Sequence, residues 1–166
     1  MKLTDYDINK IDSMTFEINE EPRDYNNDMA SAYFMTDEDY ANLPDDTRNI
    51  DNLRCRLAEI FDTRFENGYN ELEIKCDIKR DTFQRVLKHK NGNNITYTLL
   101  AKFCLGAGIS LEETKELFAL NGHILDETKS RYDFILCCEI KNKGTIEDYD
   151  ENLIKCNFKS ILSNPN

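Results

Sequence analysis

A short stretch from Lys75 to Lys90 concentrates side chains that can bind phosphate. It contains six Lys or Arg residues and two Asp residues, in a chain whose formal net charge is −11. Attraction between cationic side chains and phosphate supplies most non-specific DNA affinity. Arg, Lys and Gln can also hydrogen-bond to base edges in the major groove. This stretch therefore predicts a nucleic-acid contact surface.

The same stretch predicts a helix over residues 79–87 with two different sides. Phe83, Val86 and Leu87 recur at helical spacing and form an apolar side that would face a core. The other side of the helix is polar and basic; it carries Lys79, Arg80, Gln84, Arg85 and Lys88. A helix of this kind keeps its charged side chains in solvent while its apolar side anchors it.

The flanking sequence predicts the helices that would position this surface. A helix before it carries an apolar stripe, and Asn67-Gly68 closes it. A two-turn helix from Asn70 to Cys76 follows, and the residues 89–94, HKNGNN, predict a turn after the basic helix. The stripe of the first helix consists of Ile50, Leu53, Leu57, Ile60, Phe61 and Phe65.

Two further helices are indicated by residues that begin and end helices. Thr96 is the expected N-cap of an apolar helix that Gly108 ends. Ser110 and Glu113 have the spacing of a capping box, and Asn121-Gly122 ends the helix that they begin.

This order of elements resembles the lambda-repressor-like (Cro/Xre-type) helix-turn-helix family over about residues 49–121. The segment 108–113, GISLEE, is similar to the usual beginning of the family's fifth helix. Four residues fall at core positions of the family: Leu72, Ile78, Phe83 and Val86. Three positions differ, because Glu73 replaces a small residue, Asp77 replaces the turn glycine, and Tyr69 replaces a frequent phosphate-contacting Gln.

The resemblance implies a sequence-specific DNA-binding transcriptional regulator, a repressor or autoregulator, whose basic helix enters the major groove of double-stranded DNA as a homodimer. In the family's register, Arg80 and Gln84 are the base-edge candidates, since Arg suits guanine and Gln suits adenine. Lys79 and Arg85 suit either base edges or phosphates. The phosphate candidates end the basic helix or precede the next one: Lys88, Lys90, Asn93 and Asn94.

The acidity of the chain belongs to its first 47 residues. They contain 13 Asp or Glu and 3 Lys or Arg, which accounts for ten of the eleven net negative charges. One interpretation of residues 1–47 is an acidic arm whose aromatic side chains dock on the helical domain. The alternative is a surface that imitates nucleic-acid phosphates or covers a basic patch, which belongs either to the chain itself or to a basic protein partner. The chain would then be an inhibitor of a nucleic-acid enzyme, anti-CRISPR-like or antitoxin-like.

Residues 123–166 predict a C-terminal helical extension of the domain at 48–122. One helix is expected over Asp126–Lys143, and Thr145 with Asp148 resembles a capping box that begins a second. Ile154 and Phe158 are expected on the apolar side of that second helix. The hairpin either enlarges the core or forms a homodimer face. The expected fold is thus all-α: a five-helix domain, a C-terminal hairpin and an acidic N-terminal arm.

Residues typical of catalysis or metal binding do not form a recognisable pattern. Six cysteines include no CxxC pair, and His89 and His123 have no ligand-spaced neighbours. Nucleotide-binding and hydrolase motifs are missing from the sequence. Mean hydropathy is −0.66, and no apolar run approaches the length of a membrane span. We therefore expect a cytoplasmic non-enzyme with reduced cysteines, no metal, no cofactor and no membrane contact.

Overall fold

The computed structural model describes residues 14, 16–22, 44–88 and 95–163 of the chain, with side chains of the first helix described from residue 52. These residues form seven helices and one isolated parallel bridge, between Ile18 and Ser130. The all-α prediction is confirmed for this part of the chain. The helices are α1 Pro44–Arg64, α2 Tyr69–Cys76, α3 Arg80–Lys88, α4 Tyr97–Ala107, α5 Leu111–Leu120, α6 Arg131–Lys141 and α7 Ile146–Lys155.

The apolar stripe of α1 faces the core as its spacing predicts. Leu53, Leu57 and Ile60 are buried, and Phe65 is buried just beyond the end of the helix. The helix begins at Pro44. Proline suits the first turn of a helix, because the N–H groups of that turn have no acceptor within the helix and proline has no N–H to leave unpaired. Gly68, with φ +66°, precedes α2.

The helices α2 and α4 pack closely because Gly106 has no side chain. A Cβ at this position would meet the Sγ atom of Cys76 and would lie 2.8 Å from the carbonyl oxygen of Lys75. Both contacts are with α2, and the second one is with its backbone, which cannot turn aside. Because Gly106 has no side chain, α4 can lie close to α2, the helix that precedes the basic helix α3.

The predicted beginnings of α4 and α5 are confirmed. The Oγ1 atom of Thr96 accepts a hydrogen bond from the N–H of Leu99 (3.3 Å), and the Oγ atom of Ser110 accepts one from Glu113 (3.1 Å). Gly108 ends α4 with φ +66°. Asn121 does more than end α5: its side chain is buried and bonds both the N–H and the C=O of Ile95 (2.8 and 2.6 Å). This contact ties the chain entering α4 to the end of α5.

The first C-terminal helix is shorter than predicted: α6 begins at Arg131, not Asp126. The Oδ1 atom of Asp126 accepts hydrogen bonds from the backbone N–H groups of Thr128 and Lys129 (2.9 and 3.2 Å), which stabilises a turn instead. Ser130 then caps α6 by accepting from the N–H of Asp133. Side-chain competition for the backbone therefore delays the helix.

The capping box that begins α7 is confirmed, with reciprocal bonds between Thr145 and Asp148. Ile154, predicted to face inward, is 50% exposed. Both α6 and α7 pack against α4, and their buried side chains join those of α1 to α5 in one hydrophobic cluster. Tyr132 and Tyr149 are among its largest fully buried members. The C-terminal hairpin thus enlarges the core.

A buried carboxylate links α4 to α6. Asp133 accepts a hydrogen bond from the hydroxyl of Tyr97 (2.7 Å) and from the N–H of Asp126 (3.0 Å). The Nε2 atom of His123 lies 3.2 Å from the same carboxylate. His123 is therefore part of the hydrogen-bonded junction between α4 and α6.

The described part of the acidic region 1–47 also packs against α6. Phe16 is buried, with its ring 5.6 Å from that of Phe134 and 5.6 Å from the guanidinium of Arg131. The backbone of Ile18 accepts a hydrogen bond from the N–H of Arg131 and donates one to Lys129 O, each at 2.9 Å. At least this segment of the acidic region is an integral part of the folded body.

Candidate nucleic-acid interface

The basic helix α3 is anchored by one aromatic side chain. Phe83 is completely buried, and its ring lies 5.2 Å from Phe61 and 5.4 Å from Phe103, nearly parallel to the latter. Val86 and Leu87 are half-buried against the same cluster. These contacts fix which side of α3 faces solvent.

The outward side of α3 carries most of the residues predicted to bind DNA. Gln84 is half-buried, and four cationic side chains in the span 79–88 are exposed: Lys79, Arg80, Arg85 and Lys88. Asp81 is the one exposed acidic residue among them. Lys90, Asn93 and Asn94, predicted to hold phosphates, lie outside the described residues. Of the eight predicted residues, the structure places Arg80, Gln84, Arg85 and Lys88 on α3 and Lys79 directly before its first residue.

Tyr69 contacts both base-edge candidates. The guanidinium of Arg80 lies over the Tyr69 ring, 5.0 Å from its centroid, and the Nε2 atom of Gln84 lies 3.5 Å from the Tyr69 hydroxyl. Phe61 supports the other side of this group, with its ring centroid 4.9 Å from that of Tyr69. A cation over an exposed aromatic ring gains about 0.5–1 kcal/mol. The ring thus holds Arg80 and Gln84 side by side.

Sequence reasoning noted Tyr69 as a departure from the family but missed this contact. Tyr69 is 11 residues from Arg80 and 15 from Gln84, with a turn between them, so no helical periodicity joins the three. The one signal in the sequence was the residue type, because a tyrosine stands at the start of α2 where the family resemblance implies a phosphate-contacting Gln.

Asp77 forms the turn between α2 and α3 in the left-handed conformation, with φ 54° and ψ 39°. Its Oδ2 atom accepts hydrogen bonds from the Nζ atom of Lys102 and from the backbone N–H of Ser163, both at 2.8 Å. Burial acts to raise the pKa of the Asp77 carboxyl, but these bonds outweigh it and hold the pKa below its ordinary value. Their stabilising effect is therefore present above about pH 3.9 and is lost as the pH falls through that lowered pKa.

A cleft of about 380 Å³ opens beside this turn. Lys79 and Thr82 form one side of it, Thr96 and Thr98 at the start of α4 form another, and Ser163 borders it. Ile78 and Leu99 also line the cleft, so its walls are both polar and apolar. The cleft is open to solvent, and Lys79 is the residue of the basic surface that borders it.

Most cysteines of the chain are core residues. Cys76, Cys104, Cys137 and Cys156 are buried, whereas Cys55 is exposed on α1. Burial raises the pKa of the Cys76 and Cys137 thiols to about 12, so neither is a thiolate at neutral pH. Within the described ranges, no three His, Cys, Asp or Glu side chains are grouped so that they could hold a metal ion.

None of the seven helices in the described part of the chain combines the length and the apolar character needed to cross a membrane. Comparisons of the chain with protein-family models, with curated proteins and with solved structures found no match. The residues and geometry of α3 and its neighbours are therefore the evidence for a nucleic-acid interface.

Proposed function

We propose that this chain is a sequence-specific DNA-binding transcriptional regulator that places the outward side of α3 in the major groove. The observation that carries the proposal is the contact of Tyr69 with both Arg80 and Gln84, beside three further exposed cations. Arg and Gln are the side chains whose donors and acceptors match guanine and adenine edges. The ring restricts their motion before DNA binds, and this lowers the entropic cost of ordering them.

The dimensions of α3 suit this role. A nine-residue helix is about 13 Å long, and the major groove of B-DNA, about 12 Å wide, admits an α-helix. Arg80 and Gln84 lie in the first half of α3, the part that reaches base edges in helix-turn-helix proteins. Arg85 and Lys88 lie further along the helix, where they are suited to phosphates on either side. The short α2, the tight turn at Asp77 and α3 support a helix-turn-helix arrangement, and such a protein would bind DNA as a homodimer.

The net charge of −11 does not oppose this proposal at contact distance. At physiological ionic strength the Debye length is about 8 Å, so distant acidic side chains are largely screened from a bound phosphate. The nearest charges decide the local field, and on the outward side of α3 they are four cations and Asp81. The acidic remainder would slow the approach of DNA more than it weakens the final complex.

Replacing Arg80 with alanine tests the proposal. We expect specific binding to weaken by about 1–3 kcal/mol, because a base-edge contact is lost, while the melting temperature falls by no more than a few degrees, because Arg80 is exposed and its contact with the Tyr69 ring is weak. Binding is measured by mobility shift on a duplex that the chain selects from a random-sequence pool at low salt, and on DNA upstream of its own coding sequence.

Arg64→Ala is the matched control, since Arg64 is an exposed arginine at the end of α1 and not on α3. It should bind DNA like the unmodified chain. Equal affinity for Arg80→Ala and Arg64→Ala would exclude Arg80 as a base contact. A chain that binds no duplex even at low salt would refute the proposed function.

One structural observation favours the second candidate, an inhibitor that binds a basic protein. Phe16 and Ile18 are held against the start of α6, and the acidic side chains near them, Glu17, Glu20 and Glu21, are exposed. Anchored carboxylates that face solvent can imitate a row of phosphates. A basic nucleic-acid-binding channel on a partner enzyme is the surface that they would fit.

Charge neutralisation separates the two candidates better than truncation. Deleting residues 1–47 would also remove the buried Phe16 and the first turn of α1, so lost binding could reflect misfolding. Changing Asp37, Glu38 and Asp39 to Asn, Gln and Asn avoids both problems. In a DNA-binding regulator this variant should bind DNA more tightly at low salt, where screening is weak, and the gain should be lost near physiological ionic strength, because it is electrostatic. Unchanged DNA affinity at low salt would argue against repulsion by this region, and loss of binding to a basic protein would favour the inhibitor.

A further inference from the structure

We propose that the segment 157–163, called here the C-terminal strap, holds α3 in its DNA-binding orientation. Asp77 is the positioning residue to which the strap hydrogen-bonds. This inference rests on the proposed function, because it concerns how the same surface is presented to DNA. It adds a long-range control: the end of the chain determines the geometry of a turn 86 residues earlier.

The strap is fixed at its beginning to the C-terminal helices. The N–H of Phe158 donates to the carbonyl of Leu153 (2.9 Å), and the Phe158 ring packs edge-on against Tyr132 at 5.0 Å. The carboxylate of Asp150, a buried residue of α7, then accepts hydrogen bonds from the Ser160 hydroxyl (2.9 Å) and the Ile161 N–H (2.7 Å). The path of the strap is thus determined by α7 before it reaches α3.

The strap ends at the turn that precedes α3. There the N–H of Ser163 and the ammonium of Lys102 share one oxygen of Asp77. Lys102 is 7% exposed, so Asp77 is the charge partner that makes its burial tolerable. Asp77 therefore joins three elements at one atom: the turn itself, α4 through Lys102, and the strap through Ser163.

This junction bears directly on the orientation of α3. Asp77 is three residues before Arg80, and its left-handed conformation sets the direction in which the chain leaves α2. A residue with a Cβ adopts that conformation less readily than glycine does, although Asp tolerates it better than most. The two hydrogen bonds stabilise a turn whose left-handed conformation is otherwise unfavourable for a residue with a Cβ. If they are lost, Arg80 and Gln84 are no longer held in a fixed position relative to the Tyr69 ring.

The decisive variant is Ser163→Pro, because proline has no N–H to donate to Asp77. We expect about tenfold weaker binding to the selected duplex, which corresponds to about 1.4 kcal/mol. Ser163→Ala is the graded control: it keeps the N–H and loses the hydroxyl, which also helps to lower the pKa of Asp77, so its affinity should fall by no more than about threefold. Lys102→Met removes the other donor of the junction and should weaken binding in the same way as Ser163→Pro.

Amide hydrogen exchange on the full-length protein without DNA provides the second readout. Residues 78–88 should exchange faster in Ser163→Pro, while those of α6 exchange at an unchanged rate, because only the junction is loosened. Faster exchange in both regions would mean general destabilisation and would overturn a positioning role.

The outcomes distinguish this inference from the proposed function. If the unmodified chain binds DNA and both Ser163→Pro and Lys102→Met bind within about twofold of it, the strap does not position α3 and the inference is wrong, while the proposed function stands. If the unmodified chain binds no DNA, the proposed function fails and the strap has no role in DNA binding. Unchanged exchange of α3 in Ser163→Pro would then also exclude a structural coupling between strap and turn.

Discussion

Replacing Phe83 with alanine should lower the free energy of unfolding by about 3–5 kcal/mol, the usual cost of removing a buried aromatic ring from a core. The ring is completely buried between Phe61 and Phe103. Neighbours drawn from two other helices, α1 and α4, cannot all move into the space that it leaves. Urea denaturation followed by circular dichroism measures the change.

Val86→Ala is the control for this prediction, because Val86 belongs to the same side of α3 but is only half-buried. It should cost clearly less than Phe83→Ala, since fewer buried contacts are lost. A loss of less than about 1 kcal/mol for Phe83→Ala would mean that α3 is not anchored by this ring. DNA binding should fall with Phe83→Ala as well, but as a consequence of unfolding.

Changing Lys79, Arg85 and Lys88 together to glutamine should remove most of the salt dependence of DNA binding. If Lys79, Arg85 and Lys88 each contact one phosphate, raising salt from about 50 to about 200 mM weakens binding by roughly 40-fold per protomer. With these three replaced and Arg80 on a base edge, the same change in salt should have almost no effect on affinity. The slope of affinity against salt, measured by fluorescence anisotropy, reports the difference directly.

A second triple variant with the same change in net charge is the control: Arg64→Gln, Lys129→Gln and Lys143→Gln. These three side chains are exposed and lie on other elements, so they should leave the salt slope almost unchanged. Equal slopes for both triple variants would indicate that DNA responds to the overall charge of the protein and not to the surface of α3.

Features that depend on neighbours in the sequence were predictable. Thr96, Ser110 and Thr145 begin their helices as expected, because an N-cap bonds an N–H only three residues away. The stripe on α1 and the buried Phe83 follow from helical periodicity, since a continuous apolar side must face a core. The cationic outward side of α3 follows for the same reason, as the complement of its apolar side.

The beginning of α6 shows where such local reasoning fails. The predicted helix extends back to Asp126, but that carboxylate accepts hydrogen bonds from the backbone of Thr128 and Lys129 and favours a turn. The helix and the turn compete for the same backbone N–H groups within a few residues. The hydrogen bond from the Tyr97 hydroxyl to the buried Asp133, just inside the first turn of α6, is a long-range contribution that periodicity does not contain.

The sequence by itself determined that the chain is helical, which residues begin most of the helices, and which side of α3 is basic. Only the tertiary structure decided that Tyr69 meets Arg80 and Gln84, that Asn121 joins Ile95, and that Ser163 reaches Asp77. The reason is physical. Caps and apolar stripes arise from bonds and spacings within a few residues, whereas these contacts join residues 11 to 86 positions apart. They form only when the core has brought the helices together, and it is they that give the proposed DNA-binding surface its shape.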